Sequence, residues 1–296
     1  MRVFVTGATG FIGTVVVQEL IQAGHQVLGL ARSEAGAEAL AAAGAQVHKG
    51  DLQDLDSLRS GAAGSDGVIH LAFGHDFSKF KEMAETDRRA IEAIGATLAG
   101  SERPFVGTSG TLLVKPGQLA TEDIPVPDDH SVPRVSEQTA LSLVSKGIRA
   151  SAVRLPQVHD RDKAGRVSFL IAIAREKGVS AYIGDGRNRW AAVHRLDVPA
   201  VYRLALEKGP AGGVYHAVGE EGVSLKEIAE AIGRGLKIPV RSLSKDEAAS
   251  HFGPLAMFVG MDGPASSVLT QQRLGWRPMQ STGLLADLDQ FNEFKR

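Results

Sequence analysis

Seven residues near the start constrain this chain more than any other stretch. Gly7-Ala8-Thr9-Gly10-Phe11-Ile12-Gly13 directly follows the β-branched and aromatic run Arg2–Thr6. It opens residues 12–23, where Ile12, Val15, Val16, Leu20 and Ile21 recur at helical spacing. A strand that enters a helix through three glycines has a geometric use for each of them. Gly7 permits a tight turn, Gly10 lets the backbone come close to a ligand, and Gly13 lets the helix pack on the strand. The amides at such a helix start favour negative charge, and a pyrophosphate suits the arrangement. The plain alternative is an ordinary glycine-rich strand-to-helix turn.

The same alternation continues downstream. Apolar runs at residues 26–31, 45–48 and 67–72 and a helical pattern at 34–43 follow the first unit. Residues 77–98 are mostly helical, and strands at 104–109 and 149–155 flank a helix near 135–145. Repeated βα units predict a parallel sheet with helices on both faces and right-handed crossovers. Residues 1–156 are thus expected to form a six-stranded, doubly wound α/β sheet of the Rossmann type, the dinucleotide-binding part. Beyond Pro156 the pieces shorten: a helix at 167–177, the turn Gly184-Asp185-Gly186, strands at 190–194 and 214–218, and helices at 225–235, 245–252 and 284–294. They predict a smaller C-terminal substrate-binding lobe, 157–296, with elements returning to the core and a cleft between the two parts.

Composition closes off several classes. The absence of Cys excludes disulfides, thiolate catalysis and Cys-based metal centres, and is compatible with a reducing, cytoplasmic location. Lys and Arg number 33 against 34 Asp and Glu, so no net field favours nucleic acid or an anionic membrane. No apolar stretch reaches the roughly 18 residues of a spanning helix, and the start carries no signal-peptide pattern. The nine histidines form no HExxH, so no metal is expected.

The end of the second strand discriminates between cofactors. An acidic residue there accepts from a ribose 2′-hydroxyl, whereas a basic one accommodates a 2′-phosphate. Leu30-Ala31-Arg32-Ser33 offers no acid. NADP is therefore expected over NAD, with Arg32 and Ser33 at the phosphate.

With the leading Thr6, the GxxGxxG spacing resembles the short-chain dehydrogenase/reductase superfamily, its extended branch in particular. The resemblance covers nearly the whole chain and implies that Thr6, Gly7, Thr9, Gly10, Phe11, Ile12 and Gly13 hold the cofactor. It implies that Asp51 and Leu52 meet the adenine, Asp51 being equally suited to cap a helix. Leu71, Ala72 and Phe73 fall on the segment that lies along the cofactor. Ser109, in Gly107-Thr108-Ser109-Gly110-Thr111, falls where the superfamily places its catalytic Ser or Thr, although a Ser at a strand end also serves as a turn former. Thr111 is then a substrate contact. Arg154-Leu155-Pro156 matches the family's Arg-Pro step, which assigns Arg154 and Pro156 to the cofactor. The segment 189–198 resembles the branch's apolar-Val-His-x-x-Asp strand, and Leu274-Gly275-Trp276-Arg277-Pro278 its C-terminal Leu-Gly-Trp-x-Pro.

One family feature is missing. The superfamily carries Tyr-x-x-x-Lys on the helix after the Ser, yet the tyrosines here are Tyr182, Tyr202 and Tyr215, and none has Lys four residues on. The matching positions fall near Asp129 and Pro133. The chain thus resembles an atypical, extended-type member, similar to NAD-dependent epimerase/dehydratase or 3β-hydroxysteroid dehydrogenase-like proteins. His159 and His194 are the candidate replacement proton donors, with a structural histidine as the alternative for each. Arg189 and Trp190 are candidate substrate contacts. Asp128-Asp129-His130 lies in a loop of about 15 residues, long enough for a lid.

Three functions follow. The first is an NADP-dependent oxidoreductase moving hydride to or from a small carbonyl, imine or alkene substrate. The second is a non-catalytic NADP-binding regulator similar to the NmrA-like redox sensors, and the third a nucleotide-sugar epimerase or dehydratase. The helices at 77–98 and 135–145 are where extended members form homodimers.

Overall fold

The computed structural model describes residues 1–74, 77–127 and 133–295. In chain order the first half contains β1 (Arg2–Thr6), α1 (Gly13–Gln22), β2 (Gln26–Ala31), α2 (Glu34–Ala42), β3 (Gln46–Lys49), α3 (Leu55–Ala63) and β4 (Gly67–His70). It continues with α4 (Phe80–Leu98), β5 (Pro104–Gly110), α5 (Ser136–Ser142) and β6 (Arg149–Leu155). The second half runs β7 (Gln157–His159), α6 (Val167–Lys177), β8 (Ser180–Ile183), β9 (Arg189–His194), α7 (Val198–Lys208), β10 (Val214–His216) and β11 (Glu220–Ser224). It ends with α8 (Leu225–Leu236), β12 (Val240–Leu243), α9 (Lys245–Phe252), α10 (Ala256–Val259), α11 (Val268–Leu274) and α12 (Leu284–Asp289).

Seven strands form one parallel sheet in the order β10-β6-β5-β4-β1-β2-β3. The chain steps from β1 outward through β2 to β3, then returns to the far side of β1 and continues through β4. Neighbouring β1 and β4 therefore mark the topological switch point, and ligands of such sheets bind outside the carboxyl ends of those strands. The expected six strands become seven because β10, from the second half, pairs with β6 and buries Tyr215 in the sheet's own core.

Alternation along β1 sends Val3 and Val5 to one face and Phe4 to the other. On the first face Val16, Val17 and Leu20 of α1 pack with Val198, Val201 and Tyr202 of α7. On the second, Leu58 of α3, Ile91 and Ile94 of α4 and Ala140 of α5 pack over Phe4, Val68 and Phe105. A separate core lies in the lobe, where Trp190, Leu225, Ile228, Phe252, Phe258 and Leu288 bury together. There α8 and α9 both start with a capping box, Ser224 with Glu227 and Ser244 with Glu247.

Three boundaries differ from expectation. β4 stops at His70 and not at 72, as the Ala72 amide leaves the sheet to donate to Thr6 Oγ1 (3.3 Å). α5 spans seven residues and tightens into a 3₁₀ turn at Leu143–Lys146, so α4, with 19 residues, has no long partner in the expected helix pair. The last predicted helix ends at Asp289 and resumes as a 3₁₀ turn at Asn292–Lys295. Asp128-Asp129-His130 lies outside the described residues. No helix among the described residues is long and apolar enough to cross a membrane.

Candidate active site

The glycine turn sits at the switch point. Gly7 takes φ +66°, and Gly10 N donates to Gly7 O (2.9 Å) to close the turn. A Cβ on Gly7 would stand 2.7 Å from Ala72 N, and one on Gly13 only 1.9 Å from Gly7 O. Leu71 N donates to Thr6 O, so Thr6, Gly7, Leu71 and Ala72 meet at the ends of β1 and β4. Ile12 gives α1 no side-chain cap, and its first turn carries no acid. Its leading amides are left for an external anion, which is the fit a pyrophosphate requires.

A clamp that sequence reasoning missed reaches this turn from the second half. Arg195 Nε donates to Phe11 O (2.6 Å), Nη2 to Thr14 Oγ1 (2.6 Å) and Nη1 to Asp160 (3.2 Å), with the guanidinium 4.5 Å from the Phe11 ring centroid. The available signal was the Arg directly after His194 in the strand-ending segment.

At the end of β2, Arg32 is exposed, while Ser33 caps α2 by accepting from Gly36 N. The nearest following acid, Glu34, is held by Lys49 (2.9 Å). Asp51 Oδ1 accepts from the amides of Gln53 (2.7 Å) and Asp54 (3.2 Å), folding a turn. Asp54, and not Asp51, caps α3. Beside that turn a groove of about 310 Å³ opens between Leu52, Gln53 and Leu55 and the Glu82, Glu85, Thr86 and Arg89 side chains of α4.

A buried relay then crosses from the glycine turn to β5. Thr6 Oγ1 lies 2.9 Å from His70 Nδ1, and His70 Nε2 lies 3.0 Å from Asp87 Oδ1. Asp87 Oδ2 accepts from Ser136 (2.5 Å), whose hydroxyl accepts from Arg134 Nε (2.8 Å), and Arg134 Nη2 donates to Thr108 O (3.0 Å). The donors assign the tautomer: Asp87 takes the Nε2 proton, and Nδ1 accepts from Thr6. Burial pushes the Asp87 carboxyl up, but His70, Arg134 and Ser136 outweigh it and hold it below its ordinary value. The Arg134 guanidinium lies 3.9 Å from the Phe73 ring centroid, bridging the ends of β4 and β5. Arg134 was also missed, although it follows Pro133, the position matched to the missing Lys.

Ser109, nearly buried, shares its face of β5 with Gly107, which packs against Ala140 of α5. Thr108 faces the opposite side, where its hydroxyl donates to His70 O (2.7 Å) and accepts from Tyr202 (2.9 Å). Burial drives Tyr202 far above the ordinary phenol value. Tyr202 is therefore a structural donor on the wrong face to replace the missing Tyr.

Several expected site residues are engaged within the chain. Arg154 is buried and forms a bidentate pair with Glu137 (2.6 and 2.7 Å) instead of facing a cofactor, and the neighbouring Pro156 is also buried. Trp190 is 1% exposed and fills the lobe core, so it walls no cleft. Arg189 pairs with Asp262 (2.9 Å), and Thr111 is buried at the start of a 3₁₀ turn. His159 is fully buried, its Nδ1 2.8 Å from Asp287 Oδ2, and its ring packs edge-on to His194 (5.7 Å). His194 accepts from Leu196 N, and burial holds it below its ordinary value. Among the described residues no hydrogen bond joins either histidine to Ser109.

Arg154 also donates to His216 Nε2 (3.1 Å), while His216 Nδ1 donates to Ser266 O (2.7 Å). Burial, then the Arg154 charge, pushes His216 down to about 3. Below pH 6.5 the unfolded chain binds a proton that the folded chain refuses, so stability falls as pH drops from about 6.5 toward 3. Between pH 7 and 5 this one group removes about 2 kcal/mol. Urea unfolding at both pH values should show that increment shrinking in His216→Asn, which keeps the donor to Ser266 without a titrating ring. Equal pH dependence in both proteins contradicts the assignment.

The family model described as the NAD dependent epimerase/dehydratase family matches residues 3–96. The uncharacterized protein C2A9.02 of Schizosaccharomyces pombe is 53% identical across 97% of this chain and 98% of its own length. The chain belongs to the NAD dependent epimerase/dehydratase family. It is an NAD(P)-dependent oxidoreductase of that family. A Dictyostelium discoideum sterol-4-alpha-carboxylate 3-dehydrogenase (decarboxylating) is 29% identical over 76% of this chain and 74% of its own. Among solved structures, the dTDP-glucose 4,6-dehydratase DesIV of Streptomyces venezuelae, with NAD and TYD bound, superposes at TM-score 0.76. It covers 99% of this chain and 96% of its own at 19% identity, a likeness of fold.

Proposed function

We propose that this family member is NADP-dependent and transfers hydride to or from a small carbonyl, imine or alkene substrate held against the 157–296 lobe in a reducing cytoplasm. One observation carries the cofactor choice: Arg32 is exposed at the end of β2, and the next acid, Glu34, is already paired with Lys49. A guanidinium so placed suits a 2′-phosphate, and no free carboxylate stands there for a 2′-hydroxyl. NADP, when bound, supplies the hydride. The chain's own residues do the rest: the glycine turn and α1 amides receive the pyrophosphate, and Asp51 and Leu52 the adenine end. Leu71, Ala72 and Phe73 lie along the cofactor, and Ser109 stands at the reacting end. The carbonyl assignment is supported by the Dictyostelium relative, which by its name is a 3-dehydrogenase.

A second reading, a regulator that binds NADP without exchanging hydride, is favoured by the absence of Tyr-x-x-x-Lys and the burial of Tyr202. Fluorescence titration separates the cofactor choices. Arg32→Ala should weaken NADPH by about ten-fold or more, the size of one charged hydrogen-bonding contact, and leave NADH unchanged. Equal losses for both nucleotides would remove Arg32 from the phosphate. NADPH oxidation in a carbonyl and imine panel separates the enzyme from the regulator.

A further inference from the structure

Two arginines face the same aromatic cleft without a carboxylate to neutralise either. Arg134, beside the end of β5, lies 3.9 Å from the Phe73 ring centroid, and Arg166, at the start of α6, lies 5.0 Å from that of Phe258. Phe80 joins the two rings edge-on, 5.9 Å from Phe73 and 6.0 Å from Phe258. The Phe73-Phe80-Phe258 row therefore runs from the end of β4 to the lobe with a guanidinium over each end.

The two cations differ from the other well-enclosed arginines. Arg154 has Glu137, and Arg195 has Asp160. Among the described residues Arg134 binds only a hydroxyl and a carbonyl, and Arg166 makes no side-chain hydrogen bond or ion pair. Burial and then the Arg134 charge lower Arg166 to about 10, so the two groups are near enough to repel. Crowding two like charges in a poorly solvated place costs free energy unless an anion arrives to offset it.

We propose that Arg134 and Arg166 form an oxyanion-binding site for the substrate, which carries a carboxylate or phosphate on an apolar body that lies along Phe73, Phe80 and Phe258. This deepens the reading of the chain as an oxidoreductase acting on a small carbonyl compound, and rests on it. The anionic group anchors one end of the molecule while its apolar part reaches toward the Phe73 side, next to Thr108 and Ser109. Arg134 and Arg166 are in this account specificity-determining residues.

The test uses the full chain and matched probes: aliphatic and aromatic 2- and 3-oxo acids, their methyl esters, and alkyl or phenyl phosphates of the same bodies. Binding is read by calorimetry and thermal melting, apart from turnover. Acids or phosphates should bind at least ten-fold more tightly than the esters, the size of one charge-assisted contact. Arg166→Met and Arg134→Gln should each lose that preference, and Arg166→Lys should keep part of it. Tightest binding by the phosphates assigns the anion as phosphate, and by the acids as carboxylate. Esters equal to acids, or no anion bound, overturns the proposal. Without ligand, Arg166→Met should melt no lower than wild type, since it removes an unpaired charge and keeps a stem over Phe258. A large drop in melting temperature would instead make Arg166 a structural residue and sink the proposal. Anion binding without any NADPH binding would overturn the oxidoreductase reading while leaving this site standing.

Discussion

Glu137→Ala is expected to lower folding stability by about 3–5 kcal/mol, the cost of leaving a buried charge without its partner. An exposed pair of the same geometry would cost about 1 kcal/mol or less, so burial decides the magnitude. Both side chains are almost wholly enclosed, and Arg154 also holds His216 of β10 and reaches Thr121 O (3.4 Å). His216 is a neutral acceptor and cannot compensate the guanidinium. The loss therefore loosens α5, β6, β10 and the segment after β5 together, which is the frame around Ser109. Urea denaturation should show it, with Glu137→Gln losing less and the double variant Glu137→Leu, Arg154→Met recovering most of the stability. A single-variant loss near 1 kcal/mol would mean that water reaches the pair.

The glycines of the turn should separate folding from binding. In Gly13→Ala the new Cβ meets Gly7 O at 1.9 Å, Gly7 C at 2.8 Å and Ala8 C at 2.9 Å, all backbone that cannot rotate away. α1 must move off the turn, and the expected loss is at or above the roughly 1–3 kcal/mol typical of overpacking. In Gly10→Ala the nearest contact is Gly7 O at 3.1 Å, so the fold tolerates the methyl. That methyl instead occupies the space into which a pyrophosphate must come, so NADPH binding should fall by more than about ten-fold at near-normal stability. Normal NADPH binding by Gly10→Ala would place the cofactor elsewhere.

What was legible in the sequence was local and periodic. The glycine spacing, the apolar alternation of β1 and β2 and the helical period of α1 each report a face that must be buried, and the structure places each within a residue or two. The roles of polar residues were less legible, because they depend on partners far away in sequence. Arg154 falls at the expected step, but its partner is Glu137 on another element. Trp190 belongs to a strand that enters the lobe, and only packing against α8 and α10 shows that its ring points into the core. Asp51 and Asp54 are both turn formers, and which one caps α3 was settled by one amide, Ser57 N. The arginines escaped notice because Arg134 stands one place from an expected Lys, while Arg166 has no motif at all.

The central claim is that the switch-point cradle takes NADP, and the most direct test is thermal melting of the protein with NADPH, with NADH and with neither. A nucleotide that binds only the folded chain, at 100 times its dissociation constant, adds about 2.7 kcal/mol. The account predicts a rise of several degrees with NADPH, a smaller one with NADH, and none with either in Gly10→Ala. No rise in the wild-type protein with either nucleotide would contradict it.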